Sequence, residues 1–288
     1  MWRNIIGQDK VKEKLKSIYK SNKISHAYLF HGMEGVGKDA AAIEFAKLLN
    51  CQNKSNGEAC DVCEECRSIS ALRSEHFNIV CSLPAGKSEQ TDSDPLEKLS
   101  AEDFENYLEQ IKLKSENHYK RINIPNANNI RINSIREIIN KIYLSTGRKH
   151  KKVFLISEAD KMTLEASNAL LKILEEPPKK SVIILTTSKP NALLPTVIGR
   201  CHQIHFEKLP EPLIQEKLIK EFEKTRIAEK QSTEYNDIEI KLASKLSMGS
   251  YSRASALLEM DINEIRDTAI NYLISVIKND YAEMVCTI

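Results

Sequence analysis

The sequence predicts an α/β protein: a parallel sheet carrying a phosphate-binding loop and an inserted metal module, followed by an all-helical part. Three observations predict it. Gly32 to Asp39 reads G-M-E-G-V-G-K-D between an apolar strand-like run and a helix with one apolar face. Two continuous apolar runs, Val153-Phe154-Leu155-Ile156 and Val182-Ile183-Ile184-Leu185, alternate with helical periodicity, as parallel strands buried on both faces do. Beyond Leu209-Pro210-Glu211-Pro212 only helical periodicity remains.

The first strand is Ala27-Tyr28-Leu29-Phe30, and the helix after the loop carries Ala40, Ala41, Ala42, Ile43, Phe45, Ala46, Leu48 and Leu49. Strand, glycine loop and helix in that order aim a helix N-terminus at an anion. Gly32, Gly35 and Gly37 let backbone N–H groups surround phosphate oxygens, and Lys38 reaches the terminal phosphates. The last position calls for a Ser or Thr hydroxyl that ligates Mg²⁺. Asp39 stands there instead and brings negative charge toward the phosphates.

At 288 residues the chain accommodates two domains and part of a third; 41% apolar and 28% charged residues suit a soluble protein. No stretch approaches the ~20 apolar residues of a membrane span. The N-terminus, Met1-Trp2-Arg3-Asn4-Ile5-Ile6-Gly7-Gln8, lacks a signal-peptide core, so a cytoplasmic location is expected. A net charge of +2 neither demands nor excludes nucleic acid.

Cys51, Cys60, Cys63 and Cys66 are spaced C-x8-C-x2-C-x2-C. Two overlapping C-x2-C steps bring thiolates to one tetrahedral ion, and four sulfurs leave no open position, so a structural Zn²⁺ is expected. Cys81, Cys201 and Cys286 are scattered and read as small apolar residues.

Residues 85–125 are rich in Lys, Glu, Asp, Ser and Asn, with an amphipathic helix expected between Leu96 and Leu113; they read as a surface insertion. Ser134 is positioned to cap a helix through Ile135, Ile138, Ile139 and Ile142. The strand Val153-Phe154-Leu155-Ile156, preceded by a basic string, then leads into Ser157-Glu158-Ala159-Asp160. A Walker B segment is an apolar strand ending in a carboxylate that helps hold Mg²⁺, often followed by a catalytic Glu. Glu158 fits the second role, while Ser157 stands where the first carboxylate belongs. Asp160 and Thr163 are both able to cap the next helix, which runs to Glu175-Glu176 and stops at Pro177-Pro178. The second buried strand ends in Thr186-Thr187-Ser188, and a short strand, Gln203 to Phe206, follows Gly199-Arg200-Cys201. Helices are expected at about 213–225, 238–246, 252–260 and from 262 onward.

These segments resemble the clamp-loader branch of the AAA+ ATPases, most closely its delta-prime members in bacterial DNA polymerase III, over about residues 1–260. Asn168-Ala169-Leu170-Leu171-Lys172-Ile173-Leu174-Glu175-Glu176-Pro177-Pro178 is the most specific piece. The four-cysteine module, the Gly199-Arg200-Cys201 triplet, Ile5-Ile6-Gly7-Gln8 (beside the adenine in active members) and Gly249-Ser250-Tyr251-Ser252-Arg253 add to it. The resemblance implies an AAA+ P-loop domain over 1–208, with the zinc module at about 51–66. A helical lid over 209–260 and the start of an abbreviated helical collar over 261–288 follow from it.

It implies that Arg200 reaches in trans into a neighbouring subunit's ATP site, where such a finger contributes roughly 10³-fold or more in rate. Thr187 takes the place of a first sensor and Arg253 of a second. Partners would be the gamma/tau ATPase subunits and delta, with the sliding clamp and primed DNA met through the complex during DNA replication. Delta-prime members do not hydrolyse ATP, and the changes at Asp39 and Ser157 agree, leaving ATP and Mg²⁺ binding in doubt. One competing reading exchanges the two metal ligands, with Asp39 and Ser157 forming a swapped Mg²⁺ site in an active ATPase. A weaker one is a stand-alone zinc-bearing nucleotide sensor.

Overall fold

In the computed structural model, residues 2–85, 94–143, 150–229 and 237–259, with scattered positions from 268 to 277, are described. Two compact units are present, Met1–Lys208 and Leu209–Ile288. The first is built on a five-stranded, all-parallel sheet in the order β2-β3-β4-β1-β5: β1 is Ala27–Gly32, β2 Phe77–Val80, β3 Lys152–Ile156, β4 Ser181–Thr187 and β5 His202–Phe206. β3 and β4 are buried along their whole length, as expected of runs without polar alternation.

Chain order on the sheet is broken at β1, which lies between β4 and β5. The register pairs Phe30 with Thr186, His31 with Thr187, and Ile156 with Leu185. The carboxyl ends of β1, β3 and β4 therefore meet, and ligands of open α/β sheets bind outside such ends.

Helix α1 (Asp9–Lys20) precedes β1, and α2 (Lys38–Asn50) follows the phosphate-binding loop. Ala40, Ala41, Ala42, Ile43, Phe45 and Ala46 are inaccessible to solvent. The alanines allow α2 to lie close to the sheet, while Tyr28 meets Phe45 edge-on. The cysteine module leads through α3 (Glu64–Ser70) to β2, an edge strand that sequence periodicity did not single out. Ile135, Ile138 and Ile142 of α5 (Ile132–Tyr143) join Leu170, Ile173 and Leu174 of α6 (Leu164–Glu175) in a core with Phe154, Ile156, Ile183 and Leu185. The short α7 (Pro195–Ile198) leads into β5.

Several expectations need correction. The insertion's helix α4 spans Ala101–Glu116, because the Ser100 side chain accepts from the Asp103 backbone N–H and starts it there. Ser134 does not cap α5: it lies inside the helix and is buried. Thr163 alone caps α6, accepting from the Ala166 N–H, while Asp160 turns to another partner described below.

The described part of the second unit includes α8 (Glu211–Glu229), α9 (Asp237–Leu246) and α10 (Tyr251–Glu259), with Ile214, Leu218, Ile240, Ala243, Tyr251 and Leu258 buried. The expected helix from 262 and the collar over 261–288 fall largely outside the described residues. Among the described residues no helix is long and apolar enough to cross a membrane.

Candidate functional site

The phosphate-binding loop is shaped by its glycines. Gly32 has φ +149°, and a Cβ there would stand 2.4 Å from the Phe206 carbonyl oxygen. Gly37, at φ +95°, precedes α2, whose first residues are Lys38 and Asp39. Lys38 does not extend outward. Its ammonium donates to the carbonyls of Gly32 (2.8 Å) and Met33 (2.6 Å) and closes the loop on itself. Burial pushes its pKa down, against the pull of Asp39, Glu34, Asp160 and Glu158.

Asp39 is the hub of the site. Ser157 Oγ donates to its Oδ2 at 2.7 Å, Thr186 Oγ1 donates to its Oδ1 at 2.7 Å, and the Lys114 ammonium lies 2.8 Å from Oδ2. Burial alone would push the Asp39 carboxyl up. The Lys114 charge and the hydrogen bonds from Lys114, Thr186 and Ser157 more than offset it and hold the pKa at about 2. Asp39 and Ser157 thus meet, as a swapped metal pair requires, but an ammonium already sits on the carboxylate.

Lys114 comes from α4, so reading residues 85–125 as a surface insertion is wrong for their C-terminal part. The Lys114 side chain is 2% exposed, and its ammonium also donates to the Lys120 carbonyl at 2.9 Å. Tyr119, also buried, lies directly on the loop: a Cβ at Gly37 would be 2.6 Å from its phenolic oxygen. That oxygen accepts from the Ile6 N–H at 2.8 Å. Arg121 reaches Glu158 (2.6 Å) and Glu34 (2.9 Å). Glu158, at φ +54°, is held on its other oxygen by Lys161 at 2.8 Å.

Thr187 donates to Asp160 at 2.6 Å and accepts from the Lys189 N–H at 2.9 Å, so its hydroxyl ties the turn after β3 to the loop that follows β4. Beside the loop, His31 and His205 bring their Nδ1 atoms to 3.4 Å. Desolvation and the neighbouring His205 and Lys38 push the His31 pKa down.

Of the residues singled out from sequence, Gly32, Gly35, Gly37, Lys38, Asp39, Glu158 and Thr187 thus belong to one end of the sheet. Arg200 stands apart from that set of contacts. It is exposed beyond α7, its guanidinium donating to Glu175 Oε1 at 2.8 Å and to the Thr196 carbonyl at 3.0 Å. Arg253 belongs to the second unit, where it is exposed near the start of α10 and its N–H donates to Ser250 Oγ. Lys114, Tyr119, Arg121 and Thr186 were missed. The first three sit in a polar stretch whose pattern speaks for solvent, and no local signal in it points to the site.

The cysteines form a separate cluster. The sulfurs of Cys51, Cys60, Cys63 and Cys66 lie within 4.8 Å of one another. Backbone N–H groups of Cys60 and Cys63 donate to the sulfurs of Cys51 and Cys60. N–H groups of Val62 and Cys63 hold the Cys60 thiol down at about 6, while burial pushes Cys51 and Cys66 up. Four converging sulfurs with N–H donors around them fit a tetrahedral Zn²⁺. Lys47 of α2, 2% exposed, bridges Glu44 and Asp61 and ties the module to the helix behind the phosphate-binding loop.

A family model described as "DNA polymerase III, delta subunit" matches residues 7–210. The DNA polymerase III subunit delta' of Bacillus subtilis is 30% identical over 214 residues, covering 74% of this chain and 52% of that protein. Subunit tau of the same organism is 27% identical over 262 residues, covering 91% of this chain and 38% of its own length. Subunit tau/gamma of Haemophilus influenzae is 25% identical over 283 residues, covering 97% and 34%. The chain thus spans about half the length, or less, of these relatives.

Proposed function

Because the chain belongs to the DNA polymerase III delta-subunit family, we propose that it is an AAA+ clamp-loader subunit whose own nucleotide site is silent. Its role is stator-like, of the delta-prime kind: it holds its place in the assembly and supplies Arg200 to a neighbouring ATPase subunit. The observation that supports silence is the environment of Asp39. Mg²⁺ requires near-octahedral oxygen ligation at about 2.1 Å. Here the carboxylate accepts from Ser157 and Thr186 and pairs with Lys114, so the groups at the metal position are spent on one another. The residues present do not fit the metal.

Arg200 suits the complementary role because it is exposed and oriented rather than buried in a core. Glu175, within the stretch most specific to the clamp-loader resemblance, holds its guanidinium. A guanidinium presented to a transferring phosphoryl group stabilises charge that grows in the transition state. Partners on this reading are the gamma/tau ATPases and delta, in the cytoplasm, with the sliding clamp and primed DNA reached through the assembly. The second unit serves as the lid and the residues after 260 begin a collar. Cys51, Cys60, Cys63 and Cys66 would hold a structural Zn²⁺ that maintains the fold of the module and performs no chemistry.

A second reading is favoured by one observation. Asp39 and Ser157 are in contact, so an active enzyme would need only to expel Lys114 to offer a carboxylate and a hydroxyl to Mg²⁺. ATP hydrolysis by the isolated chain with Mg²⁺, with and without primed DNA, separates the two. The expected result is no turnover. Turnover that is lost in Lys38→Ala would replace the stator reading with the active one.

A further inference from the structure

Loss of metal ligands alone would leave a pocket that still admits nucleotide. The contacts of residues 114–121 go further. Within these eight residues, three side chains reach three different walls of the pocket. Lys114 places its ammonium on Asp39, Tyr119 covers Gly37 and accepts from the Ile6 N–H, and Arg121 spans Glu158 and Glu34. Lys114 and Tyr119 are buried, so the segment is seated in the protein rather than lying over it. Its own backbone is tied to the same point, since Lys114 also donates to the carbonyl of Lys120. We infer that residues 114–121 are a resident occupant of the nucleotide pocket, with the Lys114 ammonium standing in for the metal ion and Tyr119 covering the phosphate-binding loop.

The charge pattern supports this assignment. The pocket gathers Asp39, Glu158 and Glu34; the segment delivers Lys114 and Arg121 to them and Lys161 pairs with Glu158, so three cations of the chain meet the three carboxylates, two of them from this segment. A buried carboxylate left without such a partner is strongly unfavourable, and an ammonium at 2.8 Å excludes a second cation from the same oxygen. The inference rests on the silent-site reading above but adds a cause: the site is silent because it is filled.

The test compares the full chain with a Lys114→Ala/Tyr119→Ala/Arg121→Ala variant, using ATP with Mg²⁺ as the probe and equilibrium binding and thermal shift as readouts. The expected result is no binding by the wild type and a gain in affinity of at least about tenfold in the variant, because a resident segment lowers the competent fraction of the pocket. A folded variant that still binds nothing overturns the inference and leaves the silent-site reading standing. Binding without turnover by the wild type overturns it as well. Turnover by the wild type removes both readings. Should the variant not fold, hydrogen exchange of the wild-type loop decides: amides 33–39 are expected to be protected and unchanged by millimolar ATP·Mg²⁺, and added protection overturns the inference.

Discussion

Asp39 and Lys114 illustrate how far a single charge depends on its neighbours. In sequence they are 75 positions apart: Asp39 reads as the altered end of the phosphate-binding loop, and Lys114 as a solvated ion of the insertion. In the fold a buried Lys114 pairs with a partly buried Asp39 that also accepts from two hydroxyls, and the Asp39 pKa falls to about 2. A depressed carboxyl pKa contributes stability that is complete above the unfolded value and is lost as pH falls through the folded one. The window is therefore about pH 4 down to 2, and the contribution about 2 kcal/mol. Lys114→Met should destabilise the protein at neutral pH by about 3 kcal/mol in urea unfolding, because it strands the carboxylate. It should also erase most of the stability lost between pH 4 and 2. An acid limb identical to that of the wild type would show that the pair carries no such weight. At Arg200, a reconstituted assembly provides the measurement. If Arg200 acts in trans as proposed, Arg200→Ala should lower its ATP turnover by roughly 10³-fold without dissociating it, and Glu175→Ala by a smaller factor, since that carboxylate pairs with the guanidinium and on this reading does not touch phosphate.

At the scale of elements, the cysteine module and α4 both serve the site from outside the sheet. The module hangs from the end of α2, with Cys51 directly after Asn50 and Lys47 bridging Glu44 to Asp61. Metal analysis should find about one Zn²⁺ per chain, and chelation should lower Tm by more than about 5 °C, since an ion bound to four converging thiolates contributes its binding free energy to the folded state. No change in Tm on metal removal would show that the cysteines pack as plain thiols. In the sheet, Phe154 is fully buried between Ile183 and its β2 partner Asn78. Phe154→Ala should cost about 3–5 kcal/mol, read in urea unfolding, by opening a cavity in a core that has no room to collapse.

For the whole molecule, the proposed role is positional. On that proposal one unit carries a pocket that does not turn over ATP and an exposed arginine, while the other has a small helical core of its own. The isolated chain should show no ATP turnover at any magnesium concentration. Much of this was legible in the sequence: strands without polar alternation, the glycine loop, the cysteine spacing and the proline stop after α6 are all local patterns with local causes. β2 escaped because four residues at a sheet edge carry little periodicity, and the caps at Asp160 and Ser134 were misread because several residues there compete for one role.

The sequence by itself determined the parallel α/β domain, the altered phosphate-binding loop and the four converging thiols, because glycine conformation, burial and metal spacing are written within a few residues of where they act. Only the tertiary structure decided what became of the loop's altered end. The partners of Asp39 come from β3, β4 and α4, and nothing in a polar run at 85–125 distinguishes a lysine bound for solvent from one bound for a buried carboxylate. That distinction is made by which chain ends the sheet order brings together, and it exists only once the chain has folded.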